Sequence, residues 1–301
     1  MNTKSRGFKA VDILLLVLTV LPMVCAMVIK VLTKPYSEGM NIAGAQIFFT
    51  LPMPVQDLPI TEAQINSWLL IISVLFLCLY LTHGLSVKHP TKRQRLLEWA
   101  VGKVEAMVRD NMGEYFKAYV PFICAIFAIS ALSSLMSLLG LFPPTSDINI
   151  VAGWAILVFI LITYYKFKLG PLGYLKSFTQ PVAVVTPFNI ISEVATPVSM
   201  AFRHYGNVIS GTIVSALLAF ALQNLSSLIF GSLPGFLGEF PFMQIGIPAL
   251  LSVYFDVFSG CLQAYIFAML TMLYVADAFP QQEYFERLER KKKEKMKESK
   301  A

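Results

Sequence analysis

The sequence predicts an all-α membrane protein with about six membrane-crossing helices, the last two long, strongly tilted and paired as an antiparallel hairpin. Three observations carry this. Of the 301 residues, 56% are apolar and only 14% charged, more apolar surface than a soluble domain of this size can hide. Apolar runs recur at about 11–32, 66–85, 118–142, 149–165, 183–230 and 244–279. With six crossings and the N-terminus inside, 21 of the 24 Lys and Arg residues fall on the inner side, while Glu38, Asp57, Glu62, Asp147 and Glu239 fall in outer loops. Both termini are therefore expected in the cytoplasm, and residues 1–301 form one polytopic membrane domain.

The first element is an extra span within 1–32. Met1 to Lys9 is basic and an apolar core follows, as in a signal peptide, but no small-x-small site closes it, so it is expected to be retained. Residues 33–64 are an outer loop rich in proline (Pro35, Pro52, Pro54, Pro59) with no clear period. After the second span, Thr91 to Gln94 has the form of a capping box. Leu97, Ala100, Val101, Val104 and Val108 follow at helical spacing, with Lys92, Arg93, Arg95, Lys103 and Arg109 on other faces. Residues 86–117 thus read as a basic amphipathic helix on the inner membrane surface. Spans three and four turn around Gly140 to Pro144, where glycine and proline break the helix.

The segment from Pro187 to Phe230 has 44 residues. As a helix it is about 66 Å long, twice the hydrocarbon thickness. Folding it into two crossings would put the tail from Arg287 to Lys300, with eight Lys or Arg, outside; one steep crossing keeps that tail in. Residues 183–279 are accordingly two tilted helices joined by a Gly/Pro turn near Ser232 to Gly235, and 280–301 is a charged cytoplasmic tail.

Arg203 stands in the middle of that first long helix, where Glu193 is the only other formal charge. A guanidinium at membrane depth costs about 2.5–3.5 kcal/mol even on lenient insertion scales and cannot shed its proton. An ion pathway is the function that explains keeping it. In an antiparallel hairpin Arg203 comes level with Gln263, Asn207 with Ser259, and Thr212 with Asp256. Arg203 and Asn207 share a helix face, as do Asp256, Ser259 and Gln263, whereas Thr212 is half a turn out of phase with Arg203. Glu193 and Ser199 lie on the inner side of Arg203, Thr212 and Asp256 on the outer side. The polar groups form either two paths interrupted by a cation or interhelical glue, and both readings stand for Ser199, Thr212 and Ser259. His204 is a neighbour with a local hydrogen bond or a participant; His83 and His89 belong to the inner interface.

Several classes fall away. The net charge of +6 follows membrane topology, so no nucleic acid partner is implied. Cys25, Cys78, Cys124 and Cys261 sit singly in apolar runs, without metal-ligand spacing, and no metal or cofactor is expected. An intramembrane hydrolase would have to pair Ser210 with His204, six residues apart and on different sides of the helix. A secondary ion-coupled transporter, the alternative reading, would show internal repeats and paired broken helices, which the sequence lacks.

The run Pro197 to Arg203, followed by Gly206 and Asn207, resembles the signature of subunit a of rotary F-type ATP synthases, of bacterial type. Pro187 to Glu193, Gln263 to Phe267 and Pro144 to Asn149 extend the likeness, which covers roughly 66–280. The resemblance implies the membrane stator of the ATP synthase: a non-catalytic channel subunit, multi-pass in the cell membrane. It would face the c-ring, be held by peripheral-stalk subunit b in the lipid bilayer, and reach the catalytic head through the stalk. It also implies an outer half-channel near Asp256 and Thr212, an inner one near Glu193 and Ser199, and Arg203 between them with Asn207 and Gln263. The chain departs from the family at His204, where Leu is usual, at the Thr212 and Asp256 pair, where Glu and His are frequent, and in the added segment 11–32.

Overall fold

The computed structural model describes residues 3–33, 44–54, 56–179, 183–230, 246–281 and 284–286. The expected turn at Ser232 to Gly235 lies outside the described residues, as does the tail from Arg287 onward. Six of the described helices are long and apolar enough to cross a membrane: Ala10–Thr33, Glu62–Thr82, Glu114–Leu139, Ile148–Leu169, Thr186–Phe230 and Val253–Asp277. They coincide with the six apolar runs of the sequence.

Helix α1 (Thr3–Thr33) packs along α2 (Glu62–Thr82) and is fastened at both ends. At one end Asp12 Oδ1 lies 3.0 Å from His83 Nδ1 and 3.2 Å from Arg93. At the other, Lys30 Nζ reaches Glu62 at 3.3 Å. His83, expected at the interface, is thus the partner of an acid on the extra span. Thr61 caps α2 by accepting from the Gln64 N–H at 3.4 Å.

One local departure from an all-α fold appears in the loop between α1 and α2, which has no clear period in the sequence. Strands β1 (Ile47–Leu51) and β2 (Leu58–Thr61) pair antiparallel, with the register broken between Ile47 and Phe49. The run Ile47-Phe48-Phe49-Thr50-Leu51 has the β-branched and aromatic composition that pleated strands favour. Pro59 is tolerated because a two-stranded ribbon has only edge strands. The prolines masked this signal in the sequence.

Thr91 opens α3 (Lys92–Met112) and accepts from the Gln94 N–H at 3.2 Å. The second half of the expected capping box does not form, since the Gln94 amide turns to Ser86 and Glu98 instead. Gly113, at φ 83°, ends the helix in a conformation that side chains resist. Val108 and Met112 enter the core, while Leu96, Trp99 and Val101 remain exposed.

Helix α4 (Val120–Leu135) and α5 (Ile148–Leu169) turn at Gly140, in the left-handed region at φ 70°, and Asp147 caps α5 by accepting from the Asn149 N–H at 2.9 Å. The short α6 (Pro171–Ser177) leads to α7 (Thr186–Phe230), a single helix of 45 residues that runs through Pro197. The last membrane segment begins as α8 (Ile247–Ser252), continues as a π-helical stretch at Val253–Ser259 and ends as α9 (Gly260–Asp277).

Helix α9 is the packing centre. Ala264, Phe267, Ala268, Met272 and Val275 are all buried, against Ile123 of α4, Val158 and Ile162 of α5, and Met112 of α3. Lipid is as apolar as leucine, so close packing of small side chains and interhelical hydrogen bonds must hold this bundle. Ala264, Ala268 and Gly260, which faces Ser134, supply the close approach.

Candidate functional site

The two faces of α7 differ sharply. Ser199, Arg203, Asn207 and Ser210 follow at steps of four, four and three residues, and all are exposed. Phe202, Val198 and Val194 flank them, also exposed, so Arg203 stands in an open apolar band. The opposite side buries Met200, Ala201, His204 and Gly211 against the bundle. Phe258, Leu262 and Tyr265 of the last segment continue the exposed band.

The two helices run antiparallel where they touch. Asn207 Nδ2 donates to Gln263 Oε1 at 2.6 Å, and further along Gly211 lies against Phe255. Gln263 is 2% exposed. Its partner is therefore Asn207, one helical turn from the expected Arg203. The π-helical stretch lies between this contact and the next, and its wider turns use extra residues that a level count between two straight α-helices does not allow for. From 207 to 211 on one helix corresponds to 263 to 255 on the other.

Asp256 sits half-buried inside the π-helical stretch. It lines a crevice with Asn207, Ser259 and Gln263, closed by Ser134 and Ser137 of span three. Its volume of about 10 Å³ is that of one water. Thr212 does not share it. Its hydroxyl donates to the Val208 carbonyl at 3.0 Å, and its side chain lines a different cavity. The expected pairing of Thr212 with Asp256 is thus replaced by two separate cavities, as the half-turn phase difference between Thr212 and Arg203 requires.

Glu193, expected on the inner side, is not a free carboxylate. Lys166 Nζ of α5 donates to both its oxygens at 2.6 and 2.7 Å, and the Tyr174 hydroxyl donates at 3.4 Å. Burial and the Glu193 charge together push the Tyr174 hydroxyl above the usual phenol range. Ser199 lies one turn beyond Arg203 on the exposed face.

His204 is fully buried. Its Nε2 is 3.4 Å from Ser130 Oγ, and its ring meets Trp154 and Phe267 edge-on. Ser210 is exposed on the other face, so the two cannot form a nucleophile and base.

Sequence reading missed Lys166, which it counted only as a topological charge, and the serines of span three. A signal for the serines was present: Ser130, Ser133, Ser134 and Ser137 recur at helical spacing and so share one face.

Residues 65–276 match the family model described as ATP synthase A chain. Among similar proteins, an ATP synthase subunit a of Desulforamulus reducens is 32% identical over 221 residues, 71% of this chain and 78% of the relative. ATP synthase subunit a 3 of Pelobacter propionicus is 32% identical over 219 residues, 71% of this chain and 86% of the relative. A Propionigenium modestum protein named ATP synthase subunit a, sodium ion specific, is 26% identical over 277 residues, 81% and 88% of the two chains. A match over more than two thirds of the sequence, which takes in the helices that carry Arg203, Asn207 and Gln263, places this multi-pass membrane protein in the ATP synthase A chain family.

Proposed function

We propose that the chain is the stator subunit of the membrane sector of an ATP synthase and couples cation flow to rotation of a c-ring, without bond chemistry of its own. The observation that carries this is Arg203, a permanent cation exposed on an apolar face in mid-helix. An exposed guanidinium in hydrocarbon is unfavourable unless a counter-charge meets it there. A passing c-ring carboxylate is such a charge.

In this mechanism cations come from outside to the crevice at Asp256 and neutralise a ring carboxylate. After the ring has turned, the carboxylate gives up its cation toward Glu193 and Ser199. Arg203 stabilises the emptied carboxylate between the two paths and repels any cation that would cross directly. Asn207 and Gln263, bonded to each other beside Arg203, hold the two helices at the crossing point. Each charge moved supplies about 2.3 kcal/mol per 100 mV, so several must pass for every ATP made. The cytoplasmic placement of both termini, the surface-lying α3, the tilt of the last helices and the partnership with subunit b belong to the same reading. A relative named as sodium ion specific makes sodium as well as the proton a candidate cation.

Arg203→Ala tests the reading. Coupled ATP synthesis is expected to vanish while the complex still assembles with a c-ring and catalytic head. Arg203→Lys is expected to fail as well, because an ammonium lacks the planar fork and loses its proton more readily when desolvated. Normal coupled synthesis by Arg203→Ala membranes would overturn it.

A further inference from the structure

Helix α3 is pinned at both ends to places where membrane spans terminate. At its start, Arg93 Nη1 donates to Asp12 Oδ1 at 3.2 Å, and Nη2 donates to the His83 carbonyl. Asp12 lies near the start of the span Ala10–Thr33, and His83 follows the span Glu62–Thr82. At the far end of α3, Gly113 leads directly into the span Glu114–Leu139. A helix of 21 residues, about 31 Å long, with both ends at that level runs along the membrane–water boundary rather than through the membrane.

The two faces of α3 differ. Gln94, Val108 and Met112 share one face and are buried against the rest of the protein. Lys92, Arg95, Leu96, Trp99 and Lys103 share the opposite face and are exposed, Leu96 by 64% and Trp99 by 63%. Arg93 and Arg109 pair with Asp12 and Asp110, whereas Lys92, Arg95 and Lys103 meet no carboxylate among the described residues. The nearby acids are engaged elsewhere: Glu98 accepts from the Gln94 amide at 2.7 Å, and Glu105 from Lys117 at 3.1 Å.

This mixture selects its surroundings. Bulk water disfavours an exposed indole beside a leucine, and hydrocarbon disfavours three cations. Protein interfaces are depleted of lysine. The headgroup zone suits all five side chains, since phosphates meet the charges and an indole sits best where polar meets apolar.

We propose that this face of α3 is a seat for anionic phospholipid headgroups, with Lys92, Arg95 and Lys103 on the phosphates and Leu96 and Trp99 among the first acyl carbons. The seat rests on the surface-lying α3 of the reading above and is independent of its ion path. It adjoins the corner at which Asp12 fastens α1, a span beyond the family match, to α2 and α3.

The test uses the whole ATP synthase complex carrying Trp99→p-benzoylphenylalanine, in vesicles of equal parts phosphatidylcholine and phosphatidylglycerol. Irradiation followed by mass spectrometry identifies what becomes attached. Lipid adducts are expected, enriched in phosphatidylglycerol about fivefold over the bulk mixture. High salt should lower the enrichment by screening exposed charges. Lys92→Gln, Arg95→Gln and Lys103→Gln together should return it to the bulk ratio, whereas Lys92→Arg with Lys103→Arg should keep it. Where the triple change impairs assembly, the salt series on the parent complex decides. Leu138→p-benzoylphenylalanine, exposed at the other end of span three, should give lipid adducts at the bulk ratio. Bulk-ratio adducts at position 99, or an enrichment indifferent to both salt and the triple change, would overturn the anionic seat and leave α3 on the surface. Adducts to another subunit would make this face a protein interface instead. No adduct at 99 where position 138 reacts would turn the face to water and overturn the surface-lying α3 as well. The Arg203 reading is judged separately, by ATP synthesis.

Discussion

Asp256 is where residue-scale chemistry can be separated from residue-scale structure. Among the described residues it is the only acid that lines the crevice with Asn207 and Gln263, and Asn at 256 keeps its shape and hydrogen bonding but cannot ionise. Asp256→Asn is expected to reduce coupled transport strongly with little loss of assembly, and Asp256→Glu to restore part of it. Proton or sodium uptake by vesicles gives the answer; wild-type uptake in the Asn variant would reduce Asp256 to a structural bond. A carboxylate introduced as Ser134→Asp should compensate better than one at Thr212, because Ser134 lines the same crevice and Thr212 does not. Arg203, Asn207, Asp256 and Gln263 were legible in the sequence because charge and amides are rare at membrane depth and spacing fixes their faces. Lys166 was not: nothing in the sequence distinguishes a lysine that ends a span from one that crosses to Glu193 on another helix.

Elements decide the register between those residues. The π-helical stretch at Val253–Ser259 cannot be read from composition, since its residues are ordinary apolar ones around a single acid. Yet it changes the register along the last segment, and π-bulges occur often at functional sites. The β-hairpin was hidden for a different reason, as four prolines in one loop argue against strands unless both strands are edges. Capping, by contrast, was legible at Thr91, where a local hydroxyl meets a local N–H. The antiparallel pairing has a direct check. A Cβ placed on Gly211 would lie 3.1 Å from that of Phe255. A disulfide wants about 3.5–4.5 Å, so Gly211→Cys with Phe255→Cys should bridge after a small separation of the helices. Oxidation should give an intramolecular link seen by mass spectrometry, and reduction should undo it. Failure to link under oxidant that links exposed pairs would reject the register. Gly211→Leu should overpack the same contact and destabilise by about 1–3 kcal/mol, measured as a lower melting temperature of the complex.

The whole molecule divides into the family bundle and α1, which lies outside residues 65–276 and is bound to it chiefly along α2. Charge counting found α1 as a span, but not how it is held, because Asp12 and Lys30 find their partners about 70 and 30 residues away. The Lys30–Glu62 pair shows what α1 contributes. Glu62 is 6% exposed, and its Oε1 also accepts from the Phe142 N–H at 3.4 Å, so it ties α1, α2 and the turn before α5 together. Removing the lysine leaves a buried carboxylate without its cation. Breaking a buried pair costs about 3–5 kcal/mol, but the Lys30 side chain is 35% exposed and solvent screens the pair, so about 1–3 kcal/mol is expected. Lys30→Ala should therefore lower the melting temperature of the purified complex. Adding Glu62→Gln, which takes away the charge and keeps its hydrogen bonds, should recover most of that loss. Neither change touches the Arg203 face, so ATP made per cation carried should stay as in the parent. An unchanged melting temperature would mean that α1 is held by packing along α2 alone, and a change in coupling would mean that α1 belongs to the cation path.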